Sequence, residues 1–386
     1  LMTTISQNAE ARHLLQVYGQ LPLETTSAEG VYLHAGQRRI IDFYGGHAVA
    51  ALGYAHPDLL ATLQSQAKTM YFQSNAVALE VRAKAGDALA GIAPEGLDRV
   101  FFVNSGAEAN ENALRVACRA TGRSRVLALE HGFHGRTAAA AAVTWGAAKS
   151  WYGFPRTPFD VAFIPRDDTA RAEEMINGET AAVIIELVQG LAGAYDLEPG
   201  FVLTIAEACR RAGALLIVDE VQSGVGRTGA PFAANLYGLK PDMLTTAKAL
   251  GGGFPCSALL MTEALAHTLK SGDLGTTFGG GPMACALVST VIEVIQRDRL
   301  MDNVRTLSAE IRRTALVGPV EGIQGRGFLL GLRCRRPAKD VQAELLERDI
   351  LVGTSSDPKV VRLLPPLTLE KQHVATLVSA LSDIGQ

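Results

Sequence analysis

Between residues 100 and 262, apolar runs of four or five residues alternate with longer segments whose apolar residues recur at helical spacing. A short apolar run bounded by turn residues is typical of a strand that is buried on both faces. Strands separated by helix-length segments tend to pair in parallel, because the helix carries the chain back across the sheet. The pattern therefore predicts an α/β fold with a mainly parallel sheet. The seven predicted strands are residues 100–103, 126–129, 161–164, 182–185, 215–218, 243–246 and 257–261.

The pattern changes after a helix that is predicted to begin near Pro282. An apolar, glycine-containing stretch at 326–332 precedes a predicted helix at 340–348, a strand near 360–364 and a terminal helix. This order indicates a second, smaller α+β domain, and 386 residues with 48% hydrophobic content suffice for two cores. The strand-like pieces before residue 50 are too short for a core of their own. The predicted division is an N-terminal segment at 1–50 that packs on the small domain, a large domain at 51–290 and the small domain at 291–386.

The overall charge favours small molecules as partners. The 36 basic residues nearly balance 39 acidic ones, which gives no reason to expect nucleic acid or an anionic membrane. Five scattered cysteines without a CxxC pair are typical of a reduced compartment and indicate neither a disulfide framework nor a zinc site. No run approaches the roughly 18 apolar residues of a membrane span, and the first residues do not read as an export signal. We therefore expect a cytoplasmic protein.

Two opposite charges follow neighbouring predicted strands. Asp219 closes the apolar run at 214–218, and Lys248 lies just after the run at 243–246, before three glycines. A carboxylate at the end of a buried strand can keep a pyridinium nitrogen protonated, and an amine on a nearby loop can form a Schiff base with an aldehyde. Pyridoxal phosphate requires this pair of groups. The alternative is an Asp that caps a turn and a Lys on the surface, and the pair alone does not decide between the two.

Ser105 and Gly106 join the strand at 100–103 to a predicted helix. The glycine lets the backbone turn closely, the serine supplies a hydroxyl, and the free amides of the first helical turn point at whatever lies there. This arrangement predicts an anion site. An ordinary helix cap would use the same residues, and it remains the alternative when the segment is considered alone.

A third candidate segment, with the sequence HGFHGRT, occupies residues 131–137. Phe133 can stack on a flat heterocycle, and Arg136 can bind a carboxylate through two parallel hydrogen bonds. His131 and His134 are conceivable metal ligands, but no carboxylate or further histidine lies at a spacing that would complete a ligand shell. We therefore predict no metal site.

Together these motifs resemble the class III, ornithine-aminotransferase-like group of pyridoxal-phosphate enzymes, over essentially the whole chain. SGAEA at 105–109, FHGRT at 133–137, DEVQ at 219–222, the Lys248 loop and TTFGGGP at 276–282 occur in the family's order and spacing. The resemblance implies the fold type I of these enzymes, with the seven-stranded sheet in the large domain. It also implies an aminotransferase that carries pyridoxal 5'-phosphate.

The resemblance assigns a role to most of these residues. Lys248 would bind the cofactor covalently and act as the catalytic base, and Asp219 would pair with the pyridine nitrogen. Thr277 would reach the phosphate of a neighbouring subunit, which implies a homodimer with shared active sites. The cofactor-binding set implied in this way is Ser105, Gly106, Ala107, Phe133, Glu186, Asp219, Val221, Gln222, Lys248, Thr276 and Thr277.

The segment at 133–136 is most similar to the N-acetylornithine aminotransferase branch, in which the arginine binds the substrate α-carboxylate. By the same resemblance, Arg362 is the second arginine that binds a carboxylate. The implied reaction moves the terminal amine of an N-acylated basic amino acid to 2-oxoglutarate, giving a semialdehyde and glutamate.

Three positions depart from the family pattern. The family's EPxQGE reads ELVQGL here at residues 186–191, so Leu191 replaces a glutamate that covers the second arginine in relatives. We expect the uncovered Arg362 to hold water, an anion or a substrate carboxylate, or to turn outward, because an unpaired buried guanidinium costs several kcal/mol, as an order of magnitude. His47 stands where relatives have an apolar or tyrosyl residue at the pocket mouth; it either recognises an acyl or carboxyl group or is solvated. Leu187 replaces a proline and should alter only the loop.

Other functions compete with this reading. The same chemistry could serve another ω-amine, such as succinylornithine, a carrier-bound lysine precursor or a secondary metabolite. An aminomutase or a decarboxylase would use the same cofactor, although Arg136 argues against decarboxylation. A nicotinamide dehydrogenase fits the fold but not the motifs, since the GVGRTG stretch at 224–229 lacks a preceding strand and an acidic ribose partner. A binding protein without activity would normally have lost Lys248 or Asp219.

Overall fold

The computed structural model describes residues 4–385. The N-terminal part contains three short strands, which form an antiparallel meander, and two longer helices. Its elements are α1 (Ile5–Glu10), β1 (Ser27–Glu29), β2 (Tyr32–Ala35), β3 (Arg38–Asp42), a single turn α2 (Gly45–Ala48), α3 (Pro57–Thr69) and α4 (Glu80–Ala90).

The turn α2 is left-handed. All four of its residues have positive φ, at 56°, 56°, 66° and 70° from Gly45 to Ala48. Glycine adopts this conformation freely, and at Gly45 it is also required for space, because a Cβ would lie 2.7 Å from the carbonyl oxygen of Leu364. His47 and Ala48 are not glycines, so each costs on the order of 1–2 kcal/mol in this region. The surrounding structure therefore has to hold the turn in place.

The central part alternates strands and helices. Its strands and helices are β4 (Arg99–Val103), α5 (Gly106–Thr121), β5 (Arg125–Leu129), α6 (Ala138–Ala142), α7 (Ala147–Ser150), β6 (Asp160–Ile164), α8 (Thr169–Met175), β7 (Thr180–Ile185), β8 (Val188–Gln189), β9 (Tyr195–Asp196), α9 (Pro199–Ala212), β10 (Leu215–Asp219), α10 (Ala233–Tyr237), β11 (Met243–Thr246), β12 (Ser257–Met261), α11 (Glu263–Ala266) and α12 (Pro282–Arg297).

Seven of these strands form one sheet in the order β4-β12-β11-β10-β7-β5-β6. All neighbours are parallel except that β12 runs antiparallel to both β11 and β4. All six residues of β7 are buried, which explains its continuous apolar run. The predicted mainly parallel seven-stranded sheet is confirmed, and each observed strand lies within two residues of its predicted bounds.

The C-terminal part contains a second sheet, in the order β13-β14-β17-β16, whose neighbouring strands are antiparallel. The two-residue strand β15 does not belong to this sheet. It pairs in parallel with β3, so a C-terminal strand adds a fourth strand to the N-terminal meander. The division of the chain into domains stays a prediction, and its boundary at residue 290 falls inside α12. The C-terminal elements are α13 (Leu300–Thr314), β13 (Val320–Arg326), β14 (Leu329–Cys334), α14 (Ala338–Glu347), β15 (Ile350–Leu351), β16 (Gly353–Thr354), β17 (Val360–Leu363) and α15 (Lys371–Asp383).

A buried arginine connects these parts. Arg227 is 0% exposed, and its guanidinium donates to the carbonyl oxygens of Ala48, Phe328 and Pro365. Burial lowers the pKa of this guanidinium to about 9, while the negative charge of Asp42 opposes that shift. One cation therefore joins the left-handed turn to two C-terminal loops. Across residues 4–385, none of the helices is both long and apolar enough to cross a membrane.

Candidate active site

A cavity of about 690 Å³ opens where β10 and β11 end at the edge of the central sheet. Such crevices beyond the carboxyl ends of parallel strands are the usual ligand sites of α/β folds. The cavity brings together residues from the start of α5, the loop after β5, the β7–β8 loop, the end of β10, the Lys248 loop, the turn α2 and β17. The predicted residues that line it are His47, Ser105, Gly106, Ala107, Phe133, Arg136, Glu186, Leu191, Asp219, Val221, Gln222, Lys248 and Arg362.

Three hydrogen-bond donors converge on the carboxylate of Asp219 at the end of β10. Its Oδ2 accepts hydrogen bonds from Asn110 Nδ2 and His134 Nδ1, both at 2.8 Å, and its Oδ1 accepts one from Val221 N at 2.9 Å. Asn110 is fixed in turn by Thr245, whose Oγ1 donates to Asn110 Oδ1 at 2.6 Å. Asp219, Asn110 and His134 are all at most 3% exposed. Donors to a buried carboxylate stabilise its charge, so this carboxylate is preorganised to face a cation in the cavity.

Lys248 begins a short 3₁₀ turn, Lys248–Gly251, directly after β11. Its φ of 46° lies in the left-handed region, which is uncommon for a residue with a side chain and recurs at functional sites. Burial lowers the pKa of its ammonium group, and the negative charges of Asp219 and Glu186 oppose that shift. A lowered pKa increases the fraction of neutral amine, which is the nucleophilic form.

The start of α5 offers two free amides. Ser105 Oγ accepts from Glu108 N at 3.2 Å, while Glu108 Oε2 accepts from Ser105 N at 3.1 Å, so these two residues form a capping box. Within residues 4–385, the amides of Gly106 and Ala107 have no hydrogen-bond partner. A Cβ on Gly106 would lie 2.7 Å from Val221 Cγ1, so glycine is needed for this close approach. The helix N-terminus therefore has both the cap and two amides open to an anion, and the anion site itself stays a prediction.

Phe133 and Glu186 are joined through the backbone. Phe133 N donates to Glu186 Oε2 at 2.8 Å, and Gly190 N donates to Glu186 Oε1 at 3.2 Å. Burial raises the pKa of the Glu186 carboxyl to about 7; His134 opposes the shift and the charge of Asp219 adds to it. Glu186 thus connects the loops on both sides of the cavity, and burial makes its carboxyl group harder to ionise.

Arg136 is exposed at the cavity, and its guanidinium lies 4.3 Å above the ring of Trp151. This cation–π contact orients a side chain that has no carboxylate partner among the described residues.

His131 packs near Trp145 in a tilted arrangement, with ring centroids 5.8 Å apart. Over residues 4–385, no group of three or more His, Cys, Asp or Glu side chains is arranged to hold a metal ion.

Arg362 does not turn outward, which excludes that one of the expected alternatives. It is 4% exposed, and its Nε donates to Thr354 O at 2.7 Å while Nη1 donates to Gly190 O at 3.1 Å. Its Nη2 donates to Tyr44 Oη at 3.2 Å. Two carbonyl oxygens and a phenol therefore hold the guanidinium in the cavity wall. Burial lowers its pKa, and no carboxylate forms an ion pair with it within the described part of the chain.

His47 and Leu191 lie in the same region. His47 is exposed on the turn α2, and its Nδ1 lies 2.6 Å from Tyr44 Oη. Partial burial lowers the pKa of His47, and the positive charges of Arg362 and Lys248 act in the same direction. The His47 carbonyl accepts a long hydrogen bond from Gln222 Nε2 at 3.4 Å. Leu191 is 39% exposed, with its backbone oxygen bound to Ser356 and its side chain free to contact a ligand.

Thr276 and Thr277 do not line the cavity of this single chain. Thr276 Oγ1 accepts from Asn104 Nδ2 at 3.3 Å and from Gly279 N at 3.1 Å, and Thr277 is exposed. The adjacent Phe278 is 67% exposed and packs on Phe72. Their roles at the phosphate stay predictions.

The residues present fit pyridoxal phosphate. The aldehyde of the cofactor requires an amine, which Lys248 provides, and the ring nitrogen requires a buried carboxylate, which Asp219 provides. The phosphate requires unpaired amides, which the start of α5 provides in the same cavity. The flat ring requires apolar faces, for which Phe133 and Val221 are available.

The chain belongs to the class III aminotransferases, because the profile of the family described as Aminotransferase class-III matches residues 16–384. Members of this family have the type I fold and use pyridoxal phosphate, so the chain is a pyridoxal-phosphate-dependent transaminase and the resemblance is confirmed.

Relatives with known names are similar to this chain over nearly its whole length. The acetylornithine aminotransferase of Methanosarcina acetivorans is 36% identical over 382 residues, covering 97% of this chain and 94% of that protein. The enzyme of the same name from Bacillus subtilis is 36% identical over 376 residues, covering 96% and 97%. The crystal structure of the ornithine aminotransferase from Toxoplasma gondii superposes with a TM-score of 0.91 at 28% identity, covering 99% of this chain and 94% of that one.

Three residues of the site are missing from the sequence-based prediction. No role is predicted for Asn110 or Tyr44, and His134 is named there only as a possible metal ligand. Asn110 carries a detectable signal, because it is a polar residue on the face of α5 that also carries the buried Ala109 and Ala113. The partnership of His134 with Asp219 follows only from the folded loop after β5.

Proposed function

We propose that this chain transfers the terminal amine of an N-acylated basic amino acid, with N-acetylornithine as the reference substrate, to 2-oxoglutarate. The products are a semialdehyde and glutamate. Relatives named acetylornithine aminotransferase, about 35% identical over nearly the full length, support this substrate class. The FHGRT segment with Arg136 supports it further.

The observation that carries the proposal is the content of the cavity. Lys248 and Asp219 provide the groups that the cofactor needs, and Arg136 and Arg362 provide two guanidinium groups from separate elements. A substrate with one carboxylate and a distal amine, and an acceptor with two carboxylates, both suit a cavity with two such groups. Neither arginine has a carboxylate partner among the described residues, so both are free to bind one from a substrate.

Pyridoxal phosphate, when bound, supplies an aldehyde that exchanges amines and a ring that withdraws electrons. Lys248 Nζ would hold this aldehyde covalently, and once the substrate amine has displaced it, it would be the base that removes a proton from the substrate carbon and delivers it to the cofactor. Asp219 would keep a proton on the ring nitrogen, because Asn110, His134 and Val221 N donate hydrogen bonds that stabilise its carboxylate. The protein thus contributes placement and charge.

The arginines contribute orientation. A carboxylate bound in a forked geometry fixes both the position and the plane of a substrate, which is worth far more than the contact itself. We assign the donor carboxylate to Arg136, which is exposed and stacked on Trp151. We assign a carboxylate of the 2-oxo acid to Arg362, which is held in the opposite chain segment, β17.

We also propose that the enzyme is a cytoplasmic homodimer. Phe278, next to Thr277 in the chain, is exposed and packs on the exposed Phe72, and three more apolar side chains are exposed close to Phe72 in the sequence, namely Met70, Tyr71 and Val77. A second copy placed there would bring Thr277 to the partner's cofactor, as the resemblance implies. The five cysteines are all free, which suits a reducing compartment.

A second candidate function is the same reaction with another ω-amine donor, and the exposed Leu191 at the cavity supports it. A leucine that is 39% exposed at the cavity presents an apolar surface where the family pattern has a charge. Donors with a larger or more apolar acyl group, such as N-succinylornithine or a secondary-metabolite amine, would contact this surface.

The test is a panel of amines offered to the purified, cofactor-loaded enzyme, with glutamate formation and the visible absorbance of the cofactor as independent readouts. N-acetylornithine should show the highest kcat/KM, above N-succinylornithine, ornithine and 4-aminobutyrate. A higher value for N-succinylornithine would replace the donor while keeping the reaction. An absence of both glutamate and absorbance change with every amine would refute the proposed function.

A further inference from the structure

Tyr44 lies between Arg362 and His47. Arg362 Nη2 donates to Tyr44 Oη at 3.2 Å, and Tyr44 Oη lies 2.6 Å from His47 Nδ1. The two rings also pack edge to face, with centroids 4.8 Å apart. A buried arginine, a tyrosine and a histidine thus form one chain of hydrogen bonds that ends at the cavity.

The direction of this chain follows from the donors available. A guanidinium has no acceptor, so Tyr44 Oη must accept from Arg362. The hydroxyl proton of Tyr44 is then free to point at His47 Nδ1, and we assign this direction to their 2.6 Å contact. His47 is therefore neutral in this arrangement, and its ring proton is on Nε2. His47 keeps the Tyr44 hydroxyl turned so that its lone pair faces Arg362.

Arg362 retains two hydrogen-bond donors. A guanidinium carries five N–H groups, and three of them donate to Thr354 O, Gly190 O and Tyr44 Oη. One N–H remains on each of the two terminal nitrogens. Two donors on neighbouring nitrogens match the two oxygens of a carboxylate. Since Leu191 brings no charge next to Gly190, no acidic side chain of the described residues occupies them.

The backbone of His47 is strained, and the contacts around it hold it in this position. It lies in the left-handed turn α2, where a histidine is uncommon, and the turn is closed by Ala48 N to Tyr44 O at 3.1 Å and Val49 N to Gly45 O at 2.8 Å. Gln222 donates to the His47 carbonyl, and Arg227 donates to that of Ala48. Strain of this kind persists where the surroundings fix the geometry, which is common at functional sites.

We propose that Tyr44 and His47 are positioning residues that hold Arg362 as a permanently open subsite for one carboxylate of the 2-oxo acid. The proposal rests on the proposed function for the identity of the acceptor. An uncharged pair takes the place of an acidic cover: it fixes the guanidinium without neutralising it. The subsite is therefore formed before any substrate arrives.

The test uses the cofactor-loaded enzyme and two measurements, the KM for 2-oxoglutarate and the inhibition or dissociation constant of glutarate, a five-carbon dicarboxylate that has no reacting carbonyl. Tyr44→Phe removes the hydroxyl but keeps the ring. His47→Gly removes the acceptor and suits the left-handed backbone. Both should raise the KM for 2-oxoglutarate and the glutarate constant about tenfold, which corresponds to one hydrogen bond to a charged group. In both variants kcat should stay within about threefold of wild type, because the pair does not touch the reacting atoms.

Two further variants separate positioning from mere stability. His47→Asn places an oxygen close to where Nδ1 lies and tolerates positive φ, so it should restore both constants to within about threefold of wild type. Tyr32→Phe is the matched control, because Tyr32 Oη makes a similar bond to His373 Nε2 at 2.8 Å outside the cavity. It should leave both constants unchanged.

The proposal is overturned if glutarate binds Tyr44→Phe as tightly as wild type, or if Tyr32→Phe weakens binding equally. It is also overturned if His47→Asn behaves like His47→Gly. Should the enzyme transfer no amine to 2-oxoglutarate, the proposed function fails, but the glutarate measurement still decides the role of the pair because binding requires no chemistry.

Discussion

The cavity has two walls of different construction. The sheet wall, formed by Asn110, His134, Asp219 and Lys248, lies at the ends of strands and on the helix that covers them. The terminal wall, formed by Tyr44, His47, Leu191 and Arg362, joins segments that are up to 318 residues apart, as in the bond from Arg362 to Tyr44.

The walls also treat charge differently. In the sheet wall, charged groups of opposite sign face one another and a buried amide and imidazole complete the carboxylate's bonds. In the terminal wall a cation is held only by neutral acceptors. The sheet wall is therefore suited to one permanently bound cofactor, whereas the terminal wall retains a positive charge for substrates that bind and dissociate in every catalytic cycle.

The largest effect should come from the sheet wall. Lys248→Ala removes both nucleophile and base, so kcat should fall by at least about 10³-fold, since general acid–base catalysis alone contributes about 10² to 10⁴-fold. The measurement is steady-state glutamate production. Lys240→Ala, which breaks a surface ion pair with Glu95, is the control and should retain activity. Substantial turnover by Lys248→Ala would contradict the assigned role.

A pH effect on stability should come from behind the sheet wall. Glu220 is buried and accepts from Ala233 N and Ala234 N, and burial raises the pKa of its carboxyl from 4.5 to about 7. The folded state then binds the proton more tightly than the unfolded state. The free energy of unfolding should therefore fall as pH rises from about 4.5 to about 7, by about 3 kcal/mol from this group.

Urea unfolding of the cofactor-loaded protein between pH 5 and pH 8 measures this effect. Glu220→Gln removes the titrating group, so its unfolding free energy should depend less steeply on pH, whatever its absolute stability. Equal slopes for the two proteins would show that Glu220 is not responsible.

Arg136 tests whether the donor is bound beside the sheet wall. Arg136→Ala should raise the KM for the amine donor roughly 30-fold, about 2 kcal/mol, because one partner of a charged pair is removed. Arg136→Lys keeps the charge but loses the forked geometry, so an intermediate KM is expected. A donor KM that does not change in Arg136→Ala would place the donor carboxylate elsewhere.

The smallest effect concerns Leu191 in the terminal wall. Leu191→Glu places a carboxylate next to Gly190, where it can pair with Arg362 and compete with substrates. The KM for 2-oxoglutarate should rise several-fold, about 1 kcal/mol, and glutamate should become a poorer donor relative to N-acetylornithine. Leu191→Gln has similar size without the charge and should resemble wild type. If both half-reactions of Leu191→Glu are unaffected, Arg362 is not open to a carboxylate.

Two members of the sheet wall, Asp219 and Lys248, can be predicted from the sequence for a physical reason, whereas the contacts of Asn110 and His134 with Asp219 cannot. A strand buried on both faces is a nearly continuous apolar run, as residues 181–185 of β7 and 215–218 of β10 are, so the strands and the residues that end them stand out. Asp219 is the last residue of β10, and Lys248 lies two residues after the end of β11. The helix cap at Ser105 is equally local, because its bonds lie within four residues.

The terminal wall is harder to predict, because its geometry depends on contacts between distant segments. Arg362 is satisfied by the carbonyl oxygens of Thr354 and Gly190, and every residue has a carbonyl, so no side-chain pattern reveals the partners. The glycines before His47 indicate a turn, but neither its left-handed form nor its contact with Tyr44 follows from local spacing.

Arg227 has a consequence for motion. Separating the left-handed turn from the loops around Phe328 and Pro365 would strip a cation of its acceptors in the protein interior, at a cost of several kcal/mol. A fluctuation that widens the cavity mouth would therefore move His47 and the end of β17 together, as one rigid unit. Such a movement would leave the contacts between Arg362 and Tyr44 unchanged.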